Sequence, residues 1–111
     1  MISMQEFATE SELGKFLSAN KSVLAMCHAS WCGYCQRFLP EFEKLAAAAP
    51  IQLIKIRIDE DENPLWDSLN VPVVPTLVLF ESGREKTRLQ ALPGKGISKE
   101  MLADFRRKAG F

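Results

Sequence analysis

No apolar run of membrane-spanning length occurs in these 111 residues, and the opening Met1-Ile2-Ser3-Met4-Gln5-Glu6-Phe7 lacks a basic start followed by a hydrophobic stretch. No membrane partner is expected, and a cytoplasmic location follows, or an exported one if a leader has been removed. Excess charge is missing too. Fourteen basic and fourteen acidic side chains cancel, so no global field draws the chain to nucleic acid or to an anionic surface. There is no repeat, no low-complexity segment, and not enough length for a second core, so residues 1–111 read as one domain. Cysteine is scarce and odd in number. Three of them argue against a disulfide-stapled secreted domain and for a reactive pair with one spare. A zinc site would need a second pair of ligands, and the nearest candidates are Cys27 and His28. Those are adjacent strand residues that point to opposite faces, so no metal is expected.

What is present centres on Trp31-Cys32-Gly33-Tyr34-Cys35. Ser22 to Ala29, ahead of it, is apolar and β-prone and predicts a buried strand; Gln36 to Ala49, after it, has apolar residues at helical spacing. The dithiol therefore falls at the mouth of a helix, where unpaired N–H groups and the positive end of the macrodipole favour a thiolate over a thiol. Cys35 lies one turn further in and is the more shielded of the two. Cys32 is thus the expected attacking sulfur, and Cys35 the one that resolves the resulting mixed disulfide.

The remaining chain alternates strands and helices. Thr9-Glu10-Ser11-Glu12 has the form of a capping box, which predicts a helix to about Asn20 with Leu13, Phe16 and Leu17 inward; Met4 to Phe7 predicts a short strand before it. Cys27, mid-strand, reads as a small buried hydrophobe. His28 either supports the Cys32 thiolate or is a hydrogen-bonded structural histidine. Pro40 bends the helix that begins at the dithiol. Ile51 to Ile58 predicts a strand interrupted by Lys55 and Arg57, and the acids from Asp59 to Glu62 read as a solvated cap on a short helix through Leu69. Val71-Pro72-Val73-Val74-Pro75-Thr76 cannot be helical and predicts a loop. After it come a strand over 76–80, a turn at Glu81-Ser82-Gly83-Arg84, and an alternating strand with Thr87, Leu89 and Ala91 inward and Lys86, Arg88 and Gln90 outward. Ser98 caps a last helix that carries Met101, Leu102 and Phe105.

Ala29-Ser30-Trp31-Cys32-Gly33-Tyr34-Cys35, with Pro40 five residues on and Val74-Pro75-Thr76 later, resembles the thioredoxin family. The resemblance implies an α/β thioredoxin fold, a central mixed sheet of four to five strands with helices on both faces. It also implies a thiol-disulfide oxidoreductase, with Cys32 as nucleophile and no cofactor beyond a Cys32–Cys35 disulfide. In the same way it implies a cis bond before Pro75 facing the dithiol, with the Val74 backbone taking an extended substrate peptide as an added strand. Trp31 would dock substrates; for Tyr34 docking and simple closure of the first helical turn both stay open. Gly94 would match the family's glycine near the active-site surface. The implied partners are disulfide-containing proteins and a thiol-reducing donor such as a thioredoxin reductase, with the chain a monomer.

Two positions depart from the family. Met26 stands where most members have a buried acid, leaving Lys55, the acid's usual partner, either to support the thiolate or to snorkel outward. Tyr34 stands where thioredoxins have proline. A reductase of protein disulfides is the first reading; an exported oxidase or isomerase, and a non-catalytic binding module on the same scaffold, are the alternatives.

Overall fold

The structure, a computed structural model, describes residues 4–111. The chain order is β1 (Gln5–Phe7), α1 (Glu10–Ala19), β2 (Ser22–His28), α2 (Gly33–Ala48), β3 (Gln52–Arg57), α3 (Leu65–Ser68), β4 (Thr76–Glu81), β5 (Arg84–Gln90) and α4 (Lys99–Ala109). The strands form one five-stranded sheet in the order β1-β3-β2-β4-β5. β1, β3 and β2 run parallel, while β4 and β5 continue the sheet antiparallel. The expected mixed sheet is therefore present.

Local chemistry accounts for the boundaries. Thr9 caps α1 by accepting from the Glu12 N–H at 3.3 Å, and Ser98 caps α4 by accepting from the Met101 N–H at 3.1 Å. In α4 the reciprocal partner is a thioether: Ser98 N–H points at Met101 Sδ, 3.5 Å away. Ser82 and Gly83 both take positive φ in the β4–β5 turn (52° and 81°), the conformation that a two-residue hairpin needs. Cys32 itself is the N-cap of α2, and Pro40 lies inside that helix.

β2 is the central strand, and Val23 through Cys27 are fully buried. Helices on both sides of the sheet explain why neither of its faces is polar. Phe7, which shares a face with Ile56, stacks on Phe16 of α1 at 5.0 Å, so α1 covers that face. On the other side Leu89 and Thr87 lie beside Met101 and Phe105 of α4, which in turn neighbours Leu45 of α2 through Leu102.

One strand departs from expectation. Arg88 was expected to face water, yet its side chain is largely buried under α1 and α3. There its guanidinium pairs with Glu85 at 2.6 Å and donates to the Leu69 and Asn70 carbonyls at 2.7 Å. Alternation along an edge strand predicts one face inward and one outward, but both faces of this sheet are flanked by helices. A register shift between Leu79 and Phe80 then sets Arg88 opposite Val78.

Candidate active site

The end of β2 delivers the dithiol. After His28 the backbone leaves the sheet, the Cys32 N–H returns to the Ala29 carbonyl at 3.1 Å, and α2 begins. Cys35 N–H donates to Cys32 Sγ at 3.2 Å, so one of the first-turn amides that have no partner within the helix is spent on that sulfur. From the opposite side the Cys32 thiol faces the Val74 carbonyl at 3.6 Å, and the Val74–Pro75 bond is cis. Cys32 is 6% exposed and Cys35 2%, so a reagent arriving from solvent meets Cys32 first. Burial, and after it the interaction with the Cys32 side chain, hold the Cys35 thiol well above the ordinary thiol range. All three cysteines are free.

Three further contacts fix the loop before Cys32, and the residue at their centre was misread from the sequence. Asp59 is no helix cap. Its carboxylate accepts from the Ser30 N–H at 2.8 Å and the Ser30 hydroxyl at 2.7 Å, while its carbonyl accepts from the Trp31 indole at 2.9 Å. Those Ser30 hydrogen bonds, backbone first, draw the Asp59 pKa below its ordinary value. The signal that finds Asp59 is register: His28 sits opposite Arg57 in the parallel β2–β3 pair, so two residues on, Ser30 meets Asp59. Gln36 closes the same loop from the helix by donating to the Ser30 carbonyl at 2.9 Å. Trp31 is left 61% exposed, with its ring presented and its N–H anchored.

The other sequence-predicted residues divide between site and scaffold. Gly33 and Tyr34 are exposed between the cysteines. Tyr34 lies under the Arg37 guanidinium, 5.4 Å from ring centroid to Cζ, and against the loop before α4. That contact is made by Gly96, where an added Cβ would lie 3.0 Å from Tyr34 Cδ1; Gly94 has open space around it. The glycine packed against Tyr34 is thus Gly96, two residues beyond Gly94, because the loop turns back at a Leu92–Gly96 bridge.

His28 and Lys55 belong to a different cluster. Glu6 of β1 gathers both, with His28 Nε2 at 2.9 Å and Lys55 Nζ at 3.7 Å, and it also takes Arg57 at 3.3 Å. Register again explains this. Met26, Lys55 and Glu6 lie side by side across three strands, and with Met26 buried and apolar the lysine turns to the carboxylate on its other flank. Of the two readings left open for each residue, the contacts favour the structural one for His28 and the outward one for Lys55. Among the described residues no carboxylate or imidazole hydrogen-bonds either thiol of the pair. Cys27 is fully buried in β2, and burial pushes its thiol up to about 12.

A dithiol at a helix mouth facing a cis-proline loop agrees with what comparison finds. The thioredoxin family model matches residues 4–105. This chain belongs to the thioredoxin family. A thioredoxin from Mycoplasma genitalium is 36% identical over 84 residues, 75% of this chain and 81% of that one. A bifunctional thioredoxin reductase/thioredoxin from Mycobacterium leprae is 33% identical over 100 residues, 89% of this chain, which spans only 22% of that fused protein. Among solved structures, thioredoxin f2 of Chlamydomonas reinhardtii superposes with a TM-score of 0.81 at 17% identity, covering 97% of both chains. Fasciola hepatica thioredoxin gives 0.77 at 28% identity, covering 95% of this chain and 98% of that one. The fold is the thioredoxin fold, and the protein is a thiol-disulfide oxidoreductase. No helix among the described residues is long and apolar enough to cross a membrane.

Proposed function

We propose that this thioredoxin reduces disulfides of other proteins through Cys32 and Cys35. The observation that carries the reading is the setting of Cys32 Sγ, which receives the Cys35 N–H at 3.2 Å and lies 3.6 Å from the Val74 carbonyl. An anion on that sulfur is met by an N–H donor and the helix end, while Cys35 keeps its proton.

In the first step the Cys32 thiolate attacks one sulfur of the substrate disulfide. The substrate S–S bond breaks, a Cys32–substrate disulfide forms, and the other substrate sulfur leaves as a thiolate. Cys35 then gives its proton to that departing thiolate and attacks Cys32 Sγ. The intramolecular disulfide closes, the Cys32–substrate bond breaks and the second substrate sulfur leaves as a thiolate that takes a proton from water, so two electrons have passed to the substrate. Among the described residues no carboxylate or imidazole is in hydrogen-bond contact with the pair, and the substrate thiolate is the base this step uses. No cofactor is needed beyond the pair itself. The exposed Trp31 ring and the Val74 backbone form the docking surface for an extended substrate segment.

A thiol donor must reopen the Cys32–Cys35 disulfide. The fusion of a thioredoxin reductase to the Mycobacterium leprae relative supports a thioredoxin reductase in that role. The working form is a cytoplasmic monomer with neither nucleic acid nor membrane as partner.

Insulin reduction driven by dithiothreitol tests the assignment. Wild type accelerates it, Cys32→Ser does not, and Cys35→Ser accumulates mixed disulfides; equal activity in Cys32→Ser removes the nucleophile. A reduction potential of about −270 mV, the value typical of thioredoxins, supports reduction, whereas about −120 mV points to an oxidase.

A further inference from the structure

The chain has no net charge, yet charge is sorted around the dithiol. On the α2–α4 side a cleft of about 260 Å³ opens beside Tyr34, with Phe38 and Ile97 as apolar walls and Arg37, Lys95 and Lys99 around it. Among the described residues the only carboxylate lining it is Glu41, which is shared between Lys99 at 3.7 Å and Lys44 at 3.5 Å. Among the described residues neither Arg37 nor Lys95 has a carboxylate within ion-pair distance. Across the dithiol the sign reverses. Glu60, Asp61 and Glu62 are exposed on the β3–α3 loop, which the Asp59 carbonyl ties to the Trp31 indole.

We propose that the cleft formed by Tyr34, Arg37, Lys95 and Lys99 receives an acidic segment of the substrate protein next to its target disulfide. The inference rests on the disulfide-reductase reading and narrows its substrate class. Three features support it. The cleft adjoins Tyr34, one of the two residues between the cysteines, so whatever fills it is close to the dithiol. Its cations are mostly uncommitted, so a carboxylate gains partners there without displacing an existing one. Its apolar walls, one of them aromatic, suit the methylenes of a Glu or Asp side chain and exclude some of the water that would screen the charges. The acidic loop on the other side repels the same segment, so a substrate is steered in one orientation rather than merely attracted.

Three disulfide peptides of equal length test this, identical around the cystine but with Glu-rich, neutral or Lys-rich flanks. Their reduction by the reduced protein is followed by stopped flow. In wild type, kcat/KM for the Glu-rich peptide exceeds that for the Lys-rich one about tenfold at low salt, and the ratio shrinks to about twofold at 0.5 M salt. Arg37→Glu combined with Lys95→Glu inverts the order; the salt titration on wild type decides the matter if that variant fails to fold. If wild type reduces all three peptides at rates within twofold of each other, or if the preference survives both the charge reversal and added salt, the acidic-segment inference is overturned and the reductase reading stands. If none of the three, the neutral peptide included, is reduced, the reductase reading falls and takes the inference with it.

Discussion

Cys27 and Cys32 are five residues apart, both are buried, and they have opposite uses. Cys27 lies in β2, paired with Ile56 of β3 on one side and Thr76 of β4 on the other, where the backbone is engaged in the sheet. Cys32 lies where the same strand has run out and a helix begins, so an amide with no backbone partner is available to it. Burial alone therefore does not make a thiol inert. What separates the two is whether the local backbone has unspent donors, and the junction of strand and helix is where it does.

The largest expected effect tests that contrast at its active end. Cys32→Ser lowers disulfide reduction by at least about a thousandfold, since the nucleophile is gone and nothing replaces it, whereas Cys27→Ala leaves the rate unchanged in the same assay. Alkaline unfolding sharpens the inert end. The folded-state pKa of Cys27 is raised to about 12 from an ordinary 9.0, so its share of stability is whole below pH 9.0 and is lost as pH rises toward 12. Denaturant titrations should find stability falling by up to ~1.4 kcal/mol per pH unit in that window from this thiol, and Cys27→Ala should have a shallower decline.

Smaller effects come from the supports of the active end. Asp59→Ala removes both acceptors of Ser30 and should cost about 1–2 kcal/mol of stability while slowing reduction several-fold, with a change in Trp31 fluorescence as the structural readout. The pH dependence has a definite sign. The Asp59 pKa is depressed in the folded state, so its contribution is present above the ordinary carboxylate value and is lost as pH falls through the lowered one; the gap between wild type and variant closes in acid. The smallest effect expected is for Gly96→Ala, about 1 kcal/mol, because φ is +75° there and the new methyl meets the Tyr34 ring.

The parts legible in the sequence were those written in consecutive residues. Thr9 and Ser98 announce their helices, the glycine-bearing turn at 82–83 announces its hairpin, and the dithiol announces its own chemistry. The parts that were not legible depend on strands meeting across the sheet. Asp59 sits in a run of acids that reads locally as a solvated cap, and only its place opposite Ser30 makes it an anchor for the loop. Lys55 finds Glu6, 49 positions away in the chain, because β1 and β3 are neighbours. Arg88 alternates correctly with Leu89 but turns to Glu85 and the Leu69 and Asn70 carbonyls on the face that α1 and α3 flank. Gly94 and Gly96 are interchangeable by composition, and the turn of the loop alone decides which one Tyr34 touches.

The sheet's two margins have a consequence for a thiol-disulfide oxidoreductase. At one side β1 is three residues long; at the other β5 carries Arg84, Glu85 and Lys86 exposed in succession. Neither border offers a long, greasy ladder onto which a client could zip and stay, so a client whose sulfur has been freed finds no sheet edge to hold it.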